Sequence, residues 1–170
     1  NPEILKINKS SKNRFIKKWK KQSEIKLKKV NNISKALIIG CGSIGQRHIK
    51  NLKKMGINEI IGLRSRKGFY KALPKELYVT EVGSWKAVIE KKPDIAIISN
   101  PSSLHIENAL KVIPFVKGIF IEKPLSNSLD GIDELIKLLR KNNTVSFMGY
   151  NLMFHPMISS IFDFIDSNDI

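Results

Sequence analysis

Residues 36–45 read ALIIGCGSIG, and this stretch decides the fold. Its four apolar residues are typical of a short buried strand, and the motif G-x-G-x-x-G follows at once, with glycines at 40, 42 and 45. Apolar residues that can share one helical face come next: Ile44, Ile49, Leu52 and Met55. The order strand, glycine turn, helix predicts the first half of a dinucleotide-binding βαβ unit.

Each glycine has its own task in such a loop. Gly40 permits the tight turn, Gly42 removes the Cβ that would obstruct a pyrophosphate, and Gly45 lets the helix approach the sheet closely. The backbone N–H groups of Ser43 and Ile44, at the helix N-terminus, are then placed to bind phosphate. A turn without a ligand is the plain alternative. A methyltransferase motif, G-x-G-x-G, fits less well because position 44 is isoleucine.

The alternation of strands and helices continues along the chain. Strands are predicted at residues 36–39, 59–63, 78–79, 94–99, 118–122 and 145–150. Helices are predicted after the glycine loop, at residues 84–91 behind a serine cap, at 104–116 with a bend at Pro114, and along the stripe Ile132, Leu135, Ile136 and Leu139. Crossover helices between strands imply a doubly wound parallel sheet of the α/β class over residues 35–150.

The charge of the chain is concentrated at one end. The 170 residues carry a formal net charge of +15, and eleven basic residues against two glutamates give residues 1–30 a share of +9. We interpret residues 1–34 as a basic linker or extension. A basic amphipathic helix and non-specific nucleic-acid binding are the alternatives, but the chain has only five arginines, and specific recognition relies on that side chain.

Composition narrows the class of protein further. No run of about 18 apolar residues could cross a bilayer, so we expect no membrane partner. The single cysteine, Cys41, cannot form a disulfide framework, and no zinc-type spacing occurs, so we expect no metal and a reducing cytoplasm. Short-chain dehydrogenases are disfavoured because the chain contains no Tyr-x-x-x-Lys.

The residues after the second strand bear on the choice of cofactor. An NAD-binding site usually has an acidic residue there, which accepts hydrogen bonds from the ribose 2′-hydroxyl. Residues 63–67 instead read LRSRK, with Arg64, Ser65 and Arg66 where a 2′-phosphate would lie. We therefore predict a slight preference for NADP over NAD. An exposed basic turn in a lysine-rich chain is the alternative.

Polar residues also follow the later strands. Asn100, Pro101 and His105 follow the fourth strand, and Glu122, Lys123 and Pro124 follow the fifth. Residues 149–151, GYN, lead from the sixth strand into residues 154–156, FHP. Ligands of open α/β sheets bind at the carboxyl ends of the strands, so these segments indicate one site.

Over residues 36–170 these motifs resemble the glucose-fructose oxidoreductase, inositol dehydrogenase and MocA-like (Gfo/Idh/MocA) oxidoreductases. The resemblance implies an N-terminal Rossmann domain that binds NAD(P) and a C-terminal α/β domain that shapes the substrate pocket and the oligomer interface. It also implies hydride transfer at a carbon of a sugar, cyclitol or related polyol, and a possible homo-oligomer in the full-length protein.

The resemblance assigns roles to individual residues. The glycine loop would hold the pyrophosphate, and Arg64, Ser65 and Arg66 the adenosine ribose. Asn100, Pro101 and His105 would border the ribose nearer the nicotinamide, and Glu122 belongs to the same cofactor-binding set. Lys123 would be catalytic, because the resemblance implies that its ammonium group would lie beside the nicotinamide and the substrate hydroxyl.

The length of 170 residues suggests only part of such an enzyme. We expect residues 151–170 to begin the connection to a C-terminal domain that this sequence lacks. The expected behaviour is dinucleotide binding with little or no turnover. A stand-alone dinucleotide-binding module, or an inactive fragment, is the alternative.

Overall fold

The computed structural model describes residues 33–64 and 72–151, together with residues 155, 157, 158, 160, 161 and 164. Three predictions lie outside the described residues. They concern the basic segment before residue 33, the contacts of Ser65 and Arg66, and most of the connecting segment after residue 151. The described residues from Ile33 to Gly149 belong to one compact unit.

Six parallel strands form one sheet in the order β3-β2-β1-β4-β5-β6. The strands are β1 Lys35–Ile39, β2 Glu59–Leu63, β3 Thr80–Val82, β4 Ile95–Ile98, β5 Gly118–Ile121 and β6 Val145–Met148. This is the strand order of a dinucleotide-binding fold. Successive strands are added on one side of β1 up to β3, and from β4 onward they are added on its other side. The predicted doubly wound parallel sheet is confirmed.

Four helices cover the sheet: α1 Ser43–Lys54, α2 Trp85–Lys91, α3 His105–Val112 and α4 Ile132–Lys141. The side chains of β1 alternate between its two faces. Leu37 and Ile39 join a core with α2, α3 and α4, whereas Ala36 and Ile38 join a second core with α1. Burial on both faces explains why the strand reads as a continuous apolar run.

Two predicted elements differ most from the structure. The third strand is Thr80–Val82 and not residues 78–79, because Tyr78 has a left-handed backbone (φ 44°) that ends a 3₁₀ turn over Lys75–Leu77. The predicted helix at 104–116 is α-helical only over His105–Val112 and then tightens into a 3₁₀ turn over Ile113–Phe115. Pro114 has no N–H to continue the α-helical pattern.

The predicted helical faces are partly wrong. Ile49 and Leu52 of α1 are buried, but Met55 follows the helix and is exposed, and Ile44 is exposed at its first turn. In α4, Leu135 is buried and Ile136 is exposed. The predicted serine cap is present, since the Ser84 hydroxyl accepts a hydrogen bond from the Ala87 N–H (3.3 Å).

Asp94 joins the amino ends of the central strands. Its carboxylate accepts hydrogen bonds from the Ser34 and Lys35 N–H groups and pairs with the Lys117 ammonium (2.7 Å). Partial burial raises the pKa of Asp94, but these bonds outweigh it and lower the pKa from 3.8 to about 2. The ionised carboxylate therefore stabilises the fold above pH 3.8, and this stabilisation is lost as the pH falls toward 2.

None of the described helices has both the length and the apolar character that a bilayer crossing requires.

Candidate functional site

A cleft lies at the carboxyl ends of the strands, where the order of the sheet reverses. Its volume is about 910 Å³, and it is lined by the loops after β1, β2, β3 and β4, by the start of α2 and by one side of α3. The lining includes Gly40, Gly42, Arg64, Trp85, Asn100 and Lys111. This is the position at which open α/β sheets bind their ligands.

Gly40 brings the first loop against the fourth strand. Its φ is +91°, and an added Cβ would lie 2.5 Å from the backbone nitrogen of Asn100. The Gly40 carbonyl accepts a hydrogen bond from the Ser99 hydroxyl (2.8 Å). Only glycine fits this conformation and this close approach, so the loop after β1 is fixed against the loop after β4.

Gly42 and Gly45 shape the start of α1 differently. A Cβ on Gly45 would overlap the Gly40 carbonyl oxygen, whereas a Cβ on Gly42 would meet no atom within 4 Å. Gly42 lines the cleft, so the space above it belongs to the cleft. No side chain caps the helix, and its first turn, which begins with Ser43 and Ile44, contains no acidic residue. The first N–H groups of α1 are therefore available to an anion.

Arg64 has a partner that the sequence analysis missed. Its guanidinium Nη1 lies 3.2 Å from Oε2 of Glu81, and both side chains are more than two-thirds buried. Glu81 belongs to β3, where it pairs in register with Gly62 of β2. An acid is usually expected at the end of β2, whereas Glu81 lies on β3, outside the predicted strand at residues 78–79.

Cys41 lies inside the glycine loop and is buried. Burial raises the pKa of the thiol to about 11, the charge of Arg64 lowers it, and the charge of Glu81 raises it. The thiol is therefore protonated near neutral pH and is not a nucleophile. The Arg64 and Glu81 charges therefore both act on this thiol, in opposite directions.

The loop after β4 contains an unsatisfied polar atom. Oδ1 of Asn100 is buried and has no hydrogen-bond partner among the described residues. Buried acceptors without a donor are costly, so this oxygen indicates a missing donor such as a ligand hydroxyl. Pro101 follows in the wall of the cleft.

His105 is only 1% exposed, and both of its ring nitrogens face backbone carbonyls. Nε2 lies 2.8 Å from the Asn100 oxygen, and Nδ1 lies 2.9 Å from the Pro124 oxygen. The ring therefore connects the loop after β4 to the loop after β5. Both ring nitrogens already have partners within the protein. The contact of His105 with a ribose stays a prediction.

Glu122 and Lys123 border a second, smaller cavity of about 240 Å³, together with Ile44 and Asn100. Oε1 of Glu122 lies 2.7 Å from Nε2 of His48 on α1, and Oε2 accepts a hydrogen bond from the Lys123 N–H (3.2 Å). The His48 ring also packs edge-on against Phe120, with ring centroids 5.2 Å apart. The Lys123 side chain is exposed, and the bond from its N–H to Glu122 holds the backbone from which this side chain extends.

The contact of His48 with Glu122 was not predicted from the sequence. The available signal was the position of His48 three residues after Gly45, one turn along α1 from the glycine loop.

These residues fit a dinucleotide. The open space at Gly42 and the uncapped first turn of α1 suit a pyrophosphate, and the unsatisfied Asn100 oxygen suits a ribose hydroxyl. In the described part of the chain, no three histidine, cysteine, aspartate or glutamate residues cluster as they would around a metal ion.

Comparisons with known proteins agree with this geometry. A family model described as an oxidoreductase family with an NAD-binding Rossmann fold matches residues 34–150. Over 138 residues the chain is 28% identical to the uncharacterized oxidoreductase YrbE of Bacillus subtilis, a match that covers 78% of this chain and 40% of that protein.

Solved structures show the same fold. Myo-inositol 2-dehydrogenase from Lactobacillus plantarum superimposes with a TM-score of 0.70 at 24% identity, over 82% of this chain and 42% of that one. The WlbA dehydrogenase from Bordetella pertussis, in complex with NADH and UDP-GlcNAcA, gives a TM-score of 0.69 at 16% identity, over 80% of this chain and 43% of that one.

The chain spans about two fifths of the length of the curated relatives it matches. The resemblance drawn from the sequence motifs is confirmed: the chain belongs to the Gfo/Idh/MocA oxidoreductase family, and residues 34–150 are its NAD-binding Rossmann domain.

Proposed function

We propose that this chain is the cofactor-binding part of an oxidoreductase that transfers hydride to or from a carbon of a sugar, cyclitol or related polyol. The observation that carries the cofactor assignment is the open, uncapped start of α1 at Gly42. The substrate class is supported by relatives such as the myo-inositol 2-dehydrogenase of Thermotoga maritima, 23% identical over 136 residues.

The described residues divide the work of binding. The N–H groups at the start of α1 hold the pyrophosphate, and Oδ1 of Asn100 accepts a hydrogen bond from a ribose hydroxyl. Pro101 forms the wall beside that ribose, and His105 keeps the Asn100 loop in place. A bound nicotinamide supplies or accepts the hydride.

Lys123 is the proposed catalytic residue of this chain. Its ammonium would donate a hydrogen bond to the substrate oxygen, which carries negative charge once the hydroxyl proton has left during oxidation, or once hydride has reached the carbonyl carbon during reduction. Glu122 holds the Lys123 backbone through the 3.2 Å hydrogen bond, and His48 holds Glu122.

We also propose a slight preference for NADP. Arg64 lines the cleft beyond the glycine loop, where the adenosine ribose would lie, and Ser65 and Arg66 follow it in sequence. Charge-assisted hydrogen bonds to a 2′-phosphate give roughly tenfold discrimination each in favourable cases. The carboxylate of Glu81 beside Arg64 reduces that gain.

Fluorescence titration tests both parts of the proposal. We expect saturable binding of NADPH and NADH, with NADPH tighter by about three- to tenfold. Trp85 lines the cleft, so its emission reports occupancy through energy transfer to the reduced nicotinamide. Absence of saturable binding for either nucleotide would refute the proposed function, whereas tighter NADH binding would refute only the preference.

A further inference from the structure

We propose that Glu81 is a specificity-determining residue, which limits the selectivity of Arg64 for a 2′-phosphorylated dinucleotide. This rests on the proposed function. Oε2 of Glu81 lies 3.2 Å from Nη1 of Arg64, and the two side chains are 27% and 15% exposed. An ion pair with so little solvent around it is screened far less than one on the open surface.

The sheet places the pair beside the cleft. Glu81 is in register with Gly62, and the Arg64 N–H donates to the Val82 carbonyl (3.1 Å), so β3 continues alongside the residue that follows β2. Arg64 lines the cleft, and so do Gly83 and Ser84, which follow β3. Both charges also act on the Cys41 thiol in the glycine loop. The Glu81 carboxylate therefore lies at the same end of the sheet as the nucleotide.

The two cofactors differ at one group. NADPH carries a phosphate of nearly two negative charges where NADH carries a hydroxyl. A carboxylate beside Arg64 repels that phosphate and shares the guanidinium donors that would bind it. The hydroxyl of NADH has no such charge to repel. Glu81 thus supplies from the third strand the negative charge that NAD-binding sites usually have at the end of the second.

The charge of Glu81 can be removed with little change of shape by Glu81→Gln. The amide oxygen still accepts a hydrogen bond from Arg64, but it neither neutralises the guanidinium nor repels phosphate. We expect the ratio of the NADH to the NADPH dissociation constant to rise about tenfold. In the double variant Arg64→Gln with Glu81→Gln, the ratio should fall to or below the wild-type value. The guanidinium of Arg64, which would bind the 2′-phosphate more strongly without Glu81, is then absent.

Glu59→Gln is the matched control. Glu59 lies at the amino end of β2, which is the end away from the cleft. It also forms an ion pair, with Lys35 (3.1 Å). Its replacement should leave the ratio unchanged. Thermal melts of each variant verify folding, and Glu81→Asp, which retains the charge on a shorter side chain, should raise the ratio less than Glu81→Gln.

A cofactor-free measurement separates this inference from the proposed function. Cys41 is the single cysteine, so its alkylation rate at pH 9 reports the local charge. We expect faster alkylation in Glu81→Gln and slower alkylation in Arg64→Gln than in the wild type. An unchanged cofactor ratio in folded Glu81→Gln, with both nucleotides bound, overturns the inference and leaves the proposed function standing. Failure of the wild type to bind either nucleotide overturns both.

Discussion

Replacement of Gly42 by valine should weaken NADPH binding by at least about a hundredfold while the fold stays intact, since two or more charge-assisted bonds to the pyrophosphate would be lost. An added Cβ at Gly42 meets no protein atom within 4 Å, so the new side chain would occupy the cleft itself. The Gly42 backbone has φ −69° and ψ −165°, which valine can adopt.

Stability and binding should therefore respond separately to this change. Calorimetric titration measures the NADPH affinity, and chemical denaturation measures the free energy of unfolding. Gly118→Ala is the control: Gly118 begins β5 at the other end of the sheet, and its added Cβ would make only ordinary contacts of 3.5 Å or more. Wild-type affinity in the valine variant would show that the nucleotide does not lie on Gly42.

Replacement of His105 by leucine should lower the free energy of unfolding by about 1–3 kcal/mol, because at least one buried carbonyl oxygen loses its N–H donor inside the protein. The ring nitrogens lie 2.8 and 2.9 Å from the Asn100 and Pro124 oxygens, and the ring is 1% exposed. Leucine retains the apolar volume but supplies no N–H. The cost is set by the lost N–H donor and not by lost packing.

His105→Gln distinguishes the loss of the N–H donor from the loss of packing. Its amide can donate to one or both carbonyls, so its stability should lie between those of the wild type and His105→Leu in urea unfolding. Equal stability of the leucine variant and the wild type would mean that the two contacts contribute nothing. We also expect the leucine variant to bind NADPH more weakly, because the Asn100 loop loses a support.

The sequence predicted the elements whose signals are local. The glycine motif between an apolar run and a helical stripe is enough to predict β1, the turn and α1, and the apolar centres of β4 and β5 require burial on both faces. The predicted position of the third strand is wrong because the pattern of apolar residues does not predict the left-handed conformation of Tyr78. The bounds of α3 were too long because a 3₁₀ turn has nearly the same apolar spacing as a helix.

The sequence predicted the motifs that line the site, but not which side chains of the site contact each other. Each motif follows its strand, and the rule that ligands bind at carboxyl ends brought the motifs together. The contact of Arg64 with Glu81 depends on the register of two parallel strands, and that of His48 with Glu122 on how α1 lies across the sheet. Neither follows from spacing along the chain, because the partners are 17 and 74 residues apart.

Hydrogen exchange with and without NADPH, read by mass spectrometry, tests the central claim most directly: that a dinucleotide lies on the loop between β1 and α1. We predict slower exchange of the amides in residues 40–46 and in residues 99–105, with little change at the Asp94 end of the sheet. Unchanged exchange in the glycine loop at saturating NADPH, or protection confined to residues 1–32, would contradict the account.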